Sequence, residues 1–181
     1  FCTGHSTMNS GKTSTTKDLK RVLIIHTDGN SFNSPSLKCI IDLLIENGCQ
    51  IDLRYPGSHS PTPKHLGVRF LPFGLTVRLV KLLVFDYLCS RWLAFLGVLI
   101  EKLLIYRRYD LIIGVDRQGL IEAGILHKVT KAPHVFFSFE IMFESETSFR
   151  YKSLEREASI TASMWVVQDE VRSRQLQIEN G

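Results

Sequence analysis

The chain lacks the cysteine pattern of a metal or redox site. Its four cysteines, Cys2, Cys39, Cys49 and Cys89, form no C-x-x-C pair and no short Cys/His cluster, so a zinc ribbon and a redox dithiol are excluded and reduced thiols are expected. No base is clustered with any of them, and Cys39 and Cys89 lie in apolar runs where a free cysteine acts as a small hydrophobe. The opening residues show no signal-peptide pattern either. Phe1 to Thr7 have neither a charged start nor an apolar core, and translation is expected to begin at Met8. Long apolar runs are absent too. Within the apolar stretch of residues 75–108 the longest uncharged run, Trp92 to Ile100, covers about half of the roughly 20 residues a membrane span needs. No sign of charge dominates. Lys and Arg number 22 against 18 Asp and Glu, a formal charge of +4, too weak to argue for nucleic acid but compatible with an anionic membrane surface or a phosphorylated substrate. The P-loop is incomplete. Ser10-Gly11-Lys12-Thr13 has the tail of one, yet Ser6 stands where the first glycine belongs and no apolar strand comes before it. The six histidines are scattered, with no pair at the helical spacing of a metal site, so no metal is expected. There is no internal repeat.

What is present fits one ordinary globular domain. The 181 residues are 44% hydrophobic and 22% charged, close to the averages for soluble domains and far from the disordered and fibrous classes. Residues 1–19 are small and polar and read as a disordered lead-in; order is expected over 20–181. A short apolar run, Arg21 to His26, reads as a strand buried on both faces. A polar loop, Thr27 to Asn33, follows it. Next comes a helix over 34–47 with Pro35 in its first turn and Gly48 as its stop. Strands are expected at 50–55 and 68–71. One or two core helices are expected in the stretch that ends at Arg108, and its Arg78, Lys81, Arg91, Lys102, Arg107 and Arg108 offer a basic rim for anionic lipid. Alternation then resumes, with strands at 110–115, 133–139 and 164–168 and helices at 118–130, 151–162 and 170–179. Repeated β-α-β with apolar strands predicts a Rossmann-like, doubly wound, mostly parallel α/β sheet.

Open α/β sheets bind ligands at the carboxyl edge. Asp28, Gly29 and Asn30 follow the first strand there; Gly29 would let the backbone approach a diphosphate, with Asn30, Ser31 and Asn33 as hydrogen-bonding groups, or the loop is a plain turn before a capped helix. Asp116 and Arg117 close the fourth strand, and Glu140 and Glu144 follow the fifth. All four are expected at the same edge, where acidic groups orient hydroxyls or serve as a general base. The bland reading is solvated loop charge or helix-start residues favoured by the dipole. Glu140, beside Phe136-Phe137-Ser138-Phe139, is the residue for which function is favoured.

The order of elements and several strings resemble the amino-terminal domain of GT-B-fold glycosyltransferases of the family-4-like kind. The strings are Lys20-Arg21-Val22-Leu23-Ile24-Ile25, Asp110-Leu111-Ile112-Ile113-Gly114, Ala132-Pro133-His134-Val135-Phe136-Phe137-Ser138 and Leu154-Glu155-Arg156-Glu157. The last is Ala162-Ser163-Met164-Trp165-Val166-Val167-Gln168-Asp169-Glu170-Val171-Arg172, running on to Asn180-Gly181. The resemblance implies an acceptor-binding lobe, with a nucleotide-diphospho-sugar held mainly by a second lobe beyond Gly181. It also implies transfer with retention and no tightly bound metal or other cofactor. Gly29 matches the first-loop glycine facing the donor diphosphate, and Gln168 lines the interlobe cleft with Asp116 and Glu140. Many relatives carry a histidine after the fifth strand, and Glu140 replaces it by position only. The acceptor would be a glycan or a lipid-linked sugar, and the location cytoplasmic, with peripheral membrane contact. Two rivals stand beside this reading: a stand-alone flavodoxin-like α/β binding module, and an epimerase or phosphorylase of the same two-lobed fold. Fold alone does not choose among them.

Overall fold

Strand β1, Arg21–Ile25, buries every side chain after its first, as a strand covered on both faces must. The computed structural model describes residues 20–27, 34–55, 67–72, 109–141 and 143–180. After β1 come helix α1 (Pro35–Glu46), β2 (Gln50–Tyr55), β3 (Val68–Pro72), β4 (Leu111–Val115) and α2 (Asp116–Thr130). Then follow β5 (His134–Ser138), a 3-10 turn (Glu144–Glu146), α3 (Phe149–Ile160), β6 (Met164–Val167) and α4 (Glu170–Asn180). The strands form one sheet in the order β3-β2-β1-β4-β5-β6, and every neighbouring pair is parallel. This is a Rossmann-like doubly wound fold.

Local chemistry sets the helix ends. Ser34 caps α1, its hydroxyl accepting from the Leu37 amide at 3.4 Å, with Pro35 in the first turn. Gly48 follows at φ 77°, where a side chain would be strained. Ser148 caps α3 in the same way, accepting from the Tyr151 amide, so that helix starts two residues before the expected 151. Helix α2 also starts early. Asp116 and Arg117, expected as the end of a strand, are its first two residues, and Val115 passes directly from strand to helix.

Side chains alternate across the sheet. Val22, Ile24, Ile51, Leu53, Ile113 and Val115 meet Leu37 and Ile41 of α1 on one face. On the other, Leu23, Ile25 and Ile112 meet Ala123 and Leu126 of α2, and Phe136 packs with Leu120, Ala158 and Leu176 under α3 and α4. Helix α2 lies almost in contact with the backbone of the sheet: a Cβ built on Gly119 would stand 2.5 Å from the Ile25 carbonyl oxygen, and one on Gly114 would stand 2.6 Å from the Gly119 carbonyl oxygen. One turn further along, Glu122 reaches across β1 to form a buried ion pair with Arg54 of β2. Asp52 beside it accepts from Arg69 at 3.0 Å and from the Tyr109 hydroxyl at 2.9 Å. Burial and the Asp52 carboxylate push the Tyr109 phenol far above its ordinary range.

Among the described residues no helix is long and apolar enough to cross a membrane. The lead-in and its Ser10-Gly11-Lys12-Thr13 string, the His59 and His65 loop, and the apolar stretch 75–108 with its basic rim lie outside the described residues.

Candidate functional site

The connections turn in opposite directions on leaving β1 and β4, which are neighbours in the sheet. A crevice therefore opens between their carboxyl ends, the place where such sheets take ligands. Around it stand Thr27, the first turn of α1, the first turn of α2, and the segments following β5 and β6. Asp28, Gly29 and Asn30, expected at this edge after β1, lie outside the described residues.

Asp116 sits at φ 53°, a conformation that costs most side chains energy but suits Asp and Asn better. Its Oδ1 accepts from the backbone amides of Phe139 at 2.7 Å and Glu140 at 3.1 Å. The carboxylate expected to orient a ligand is thus tied to the chain after β5, and it fixes where Glu140 stands. Alanine here would lose both charge-assisted bonds and gain strain. We expect Asp116→Ala to cost about 2–4 kcal/mol. Asparagine keeps an acceptor oxygen and tolerates the backbone angle, so Asp116→Asn should retain at least half of that stability. Urea midpoints for the two variants check this, and equal losses would mean the bonds contribute little.

Glu140 is exposed. Its backbone carbonyl accepts from the Ser138 hydroxyl at 3.0 Å, and its carboxylate has no partner among the described residues. Gln168, directly after β6, is exposed and likewise uncommitted. Arg117 points aside: Nη1 donates to the Thr147 hydroxyl at 2.8 Å, and the guanidinium lies 4.3 Å from the centre of the Tyr151 ring. Glu144 is drawn away into a different cluster, where its carboxylate pairs with Arg156 at 2.9 Å and its amide donates to Glu179 at 3.0 Å. The edge therefore offers Glu140 and Gln168 to a ligand, with Asp116 holding one of them in place. Arg172 supports the same turn by donating to the Phe139 carbonyl.

Two features escaped the sequence. Gln118, in the first turn of α2, has a buried Nε2 with no hydrogen-bond partner among the described residues; its place two residues after the Asp116 that ends the expected strand was the available signal. The second is an apolar cleft of about 720 Å³ on the α1 side of the sheet, with Pro35, Cys39 and Ile40 on one wall and Ile113, Phe137 and Val166 on the other. Its size suits a small-molecule site. Nothing in the strand strings announces it, because three strands contribute alternate residues. Among the described residues no group of three or more His, Cys, Asp or Glu is placed to hold a metal ion. No protein-family model matches this chain, and no curated protein matches it significantly.

Proposed function

We propose that this chain is the acceptor-binding half of a glycosyltransferase that moves a sugar from a nucleotide-diphospho-sugar to a glycan or lipid-linked acceptor. The observation that carries the reading is the crevice at the β1–β4 switch point, with Glu140 and Gln168 exposed at its rim and their side chains uncommitted among the described residues. Glu140 would take the proton of the attacking acceptor hydroxyl, and the Gln168 amide, with two donors and an acceptor, would hold a neighbouring hydroxyl. Asp116 is a positioning residue, acting through the amides of Phe139 and Glu140. The apolar cleft beside α1 favours an acceptor with an aliphatic portion, and the formal charge of +4 is compatible with peripheral contact at an anionic membrane. Donor contacts would come from the Gly29 loop and mainly from a partner lobe. Against the flavodoxin-like rival stands the strand order, since that class runs 2-1-3-4-5 and this sheet has two strands outside β1. An epimerase would use the same crevice but bind no acceptor.

Titration of the chain with an alkyl glucoside and, separately, with UDP-glucose, followed by backbone amide NMR shifts, tests the reading. The glucoside should move the amides of Phe137, Glu140, Val166 and Gln168. Glu140→Gln should leave that binding nearly unchanged and lower turnover in the complete enzyme by about 10²–10⁴-fold. Shifts with UDP-glucose alone, or none with either, would count against an acceptor lobe.

A further inference from the structure

At the opposite, amino-terminal edge of the sheet two histidine rings meet. The rings of His127 on α2 and His134 on β5 lie 4.9 Å apart at a 45° tilt, and His134 is fully buried. Each ring has one nitrogen against a backbone carbonyl: His127 Nδ1 is 2.8 Å from the Ala132 oxygen and His134 Nε2 is 3.0 Å from the Ala158 oxygen. A carbonyl only accepts, so both of these nitrogens carry protons. In the neutral rings the other two nitrogens hold lone pairs. His134 Nδ1 is buried with no hydrogen-bond partner among the described residues. The Ala158 carbonyl belongs to the last turn of α3, where carbonyls lack helical backbone partners; it accepts from the Thr161 hydroxyl at 3.1 Å within the same turn and from His134, the bond that ties this end of the helix to the sheet.

We propose that the His127–His134 pair is an acid-sensitive latch: neutral rings hold the carboxyl-terminal end of α3 on β5 and α2, and protonation of His134 releases that end while the strands stay paired. The proton would arrive at Nδ1 and leave the Nε2–H bond to Ala158 in place, even strengthened; release is driven by the buried Nδ1 donor left with no acceptor among the described residues and by a charge beside a second imidazole. The charged groups flanking the pair are Lys128 of α2 and Glu157 of α3, which meet at 2.6 Å across the same seam, and the exposed Lys131 at the turn after α2. On the flanking strands, β4 presents Ile112 in register with His134, and Met164 opens β6 opposite Val135. The carboxylates of the neighbouring elements are both engaged: Asp110, just before β4, accepts from the Arg21 amide at 2.7 Å, and Glu157 pairs with Lys128.

Burial pushes His134 below the ordinary imidazole value; the Ala158 bond pulls it up, and charge on His127 pushes it down again. Because the folded value lies below the unfolded one, this contribution to stability is complete above the unfolded value near pH 6.5 and is lost as the pH falls below it.

Trp165 is a built-in reporter, since its indole nitrogen donates to the Ser159 carbonyl at 3.1 Å, one residue beyond Ala158. The chain has two tryptophans, so Trp92→Phe leaves Trp165 as the sole emitter. Emission and amide hydrogen exchange are then followed from about pH 8 to about pH 5. The expected result is an emission shift with its midpoint below about 6.5. Amides of residues 158–163 should lose protection by about tenfold or more while those of β1 and β4 keep theirs. His134→Gln, which keeps a donor for the Ala158 carbonyl and gains no proton, should abolish the transition. The latch is refuted by an unchanged Trp165 signal, by the same acid transition in His134→Gln, or by β1 and β4 losing protection together with α3. Should the glutamine variant fail to fold, the exchange pattern of the Trp92→Phe protein decides between a local release and a global one.

Discussion

Gly119→Ala will lower the thermal unfolding midpoint by about 6–12 °C. The estimate follows from about 3 kcal/mol of overpacking and the roughly 2–4 °C per kcal/mol expected for a chain of this size. Space is the cause, for Gly119 sits inside a helix and needs no special backbone angle. An added Cβ would stand 2.5 Å from the Ile25 carbonyl oxygen and 3.3 Å from the Gly114 carbonyl carbon. Both neighbours are backbone of central strands, fixed by parallel pairing on either side, and neither can swing away as a side chain would. Helix α2 must lift instead. Lifting it draws Leu120 and Ala123 out of the core and separates Glu122 from Arg54, leaving two charges partly unpaired in the interior. Calorimetry of the purified variant checks this, and a midpoint within about 2 °C of the parent would show that α2 rides on the sheet more loosely than the glycine contact implies.

The second large effect is at Lys152, whose side chain is fully buried between Glu155 Oε2 at 3.3 Å and Glu179 Oε2 at 3.4 Å. Asn180 donates to the other oxygen of Glu155 at 2.9 Å, and Arg156 donates to the Glu179 carbonyl at 2.7 Å. Helix α4 has a single buried apolar residue, Leu176, so its attachment to α3 depends on this polar cluster. Lys152→Met would leave carboxylates in the interface without their cation, at a cost of about 3–5 kcal/mol. Changing Lys152 to Met and Glu155 to Leu together should recover much of that loss, since an apolar pair of similar volume commonly substitutes for a buried ion pair. Urea unfolding of the single and double variants measures both. A single variant that loses less than about 1 kcal/mol would mean that water already reaches the ammonium.

Elements fixed by local chemistry were legible in the sequence. The strand-helix alternation, the Pro35 and Gly48 punctuation of α1 and the parallel sheet follow from short apolar runs and local turn chemistry, and the structure bears them out. Position at the carboxyl edge was likewise readable for Asp116, Glu140 and Gln168. Commitment of side chains was not. Arg54 and Asp52 alternate with apolar residues in β2 as they would in a half-exposed strand, yet both are buried by partners from α2, β3 and Tyr109. Lys152 and Glu155 sit in a helix whose letters suggest a solvated face, and their partners Glu179 and Asn180 come from a different helix. Glu144, expected at the ligand edge, is captured by Arg156 of α3. Pairing across elements is a tertiary property, and residue type with spacing specifies it only where the partner lies within a turn or two.

Strand β6 bears on how the protein behaves at high concentration. Among the described residues it ends the sheet, with no neighbouring strand there on one side of its ladder, and Met164 beside the apolar cleft is more than half exposed. Its four residues, Met-Trp-Val-Val, include no lysine, proline or glycine of the kind that blunts a free edge. An apolar margin of this kind favours pairing between copies of the chain, independently of how firmly the glycine contact and the buried lysine hold the fold.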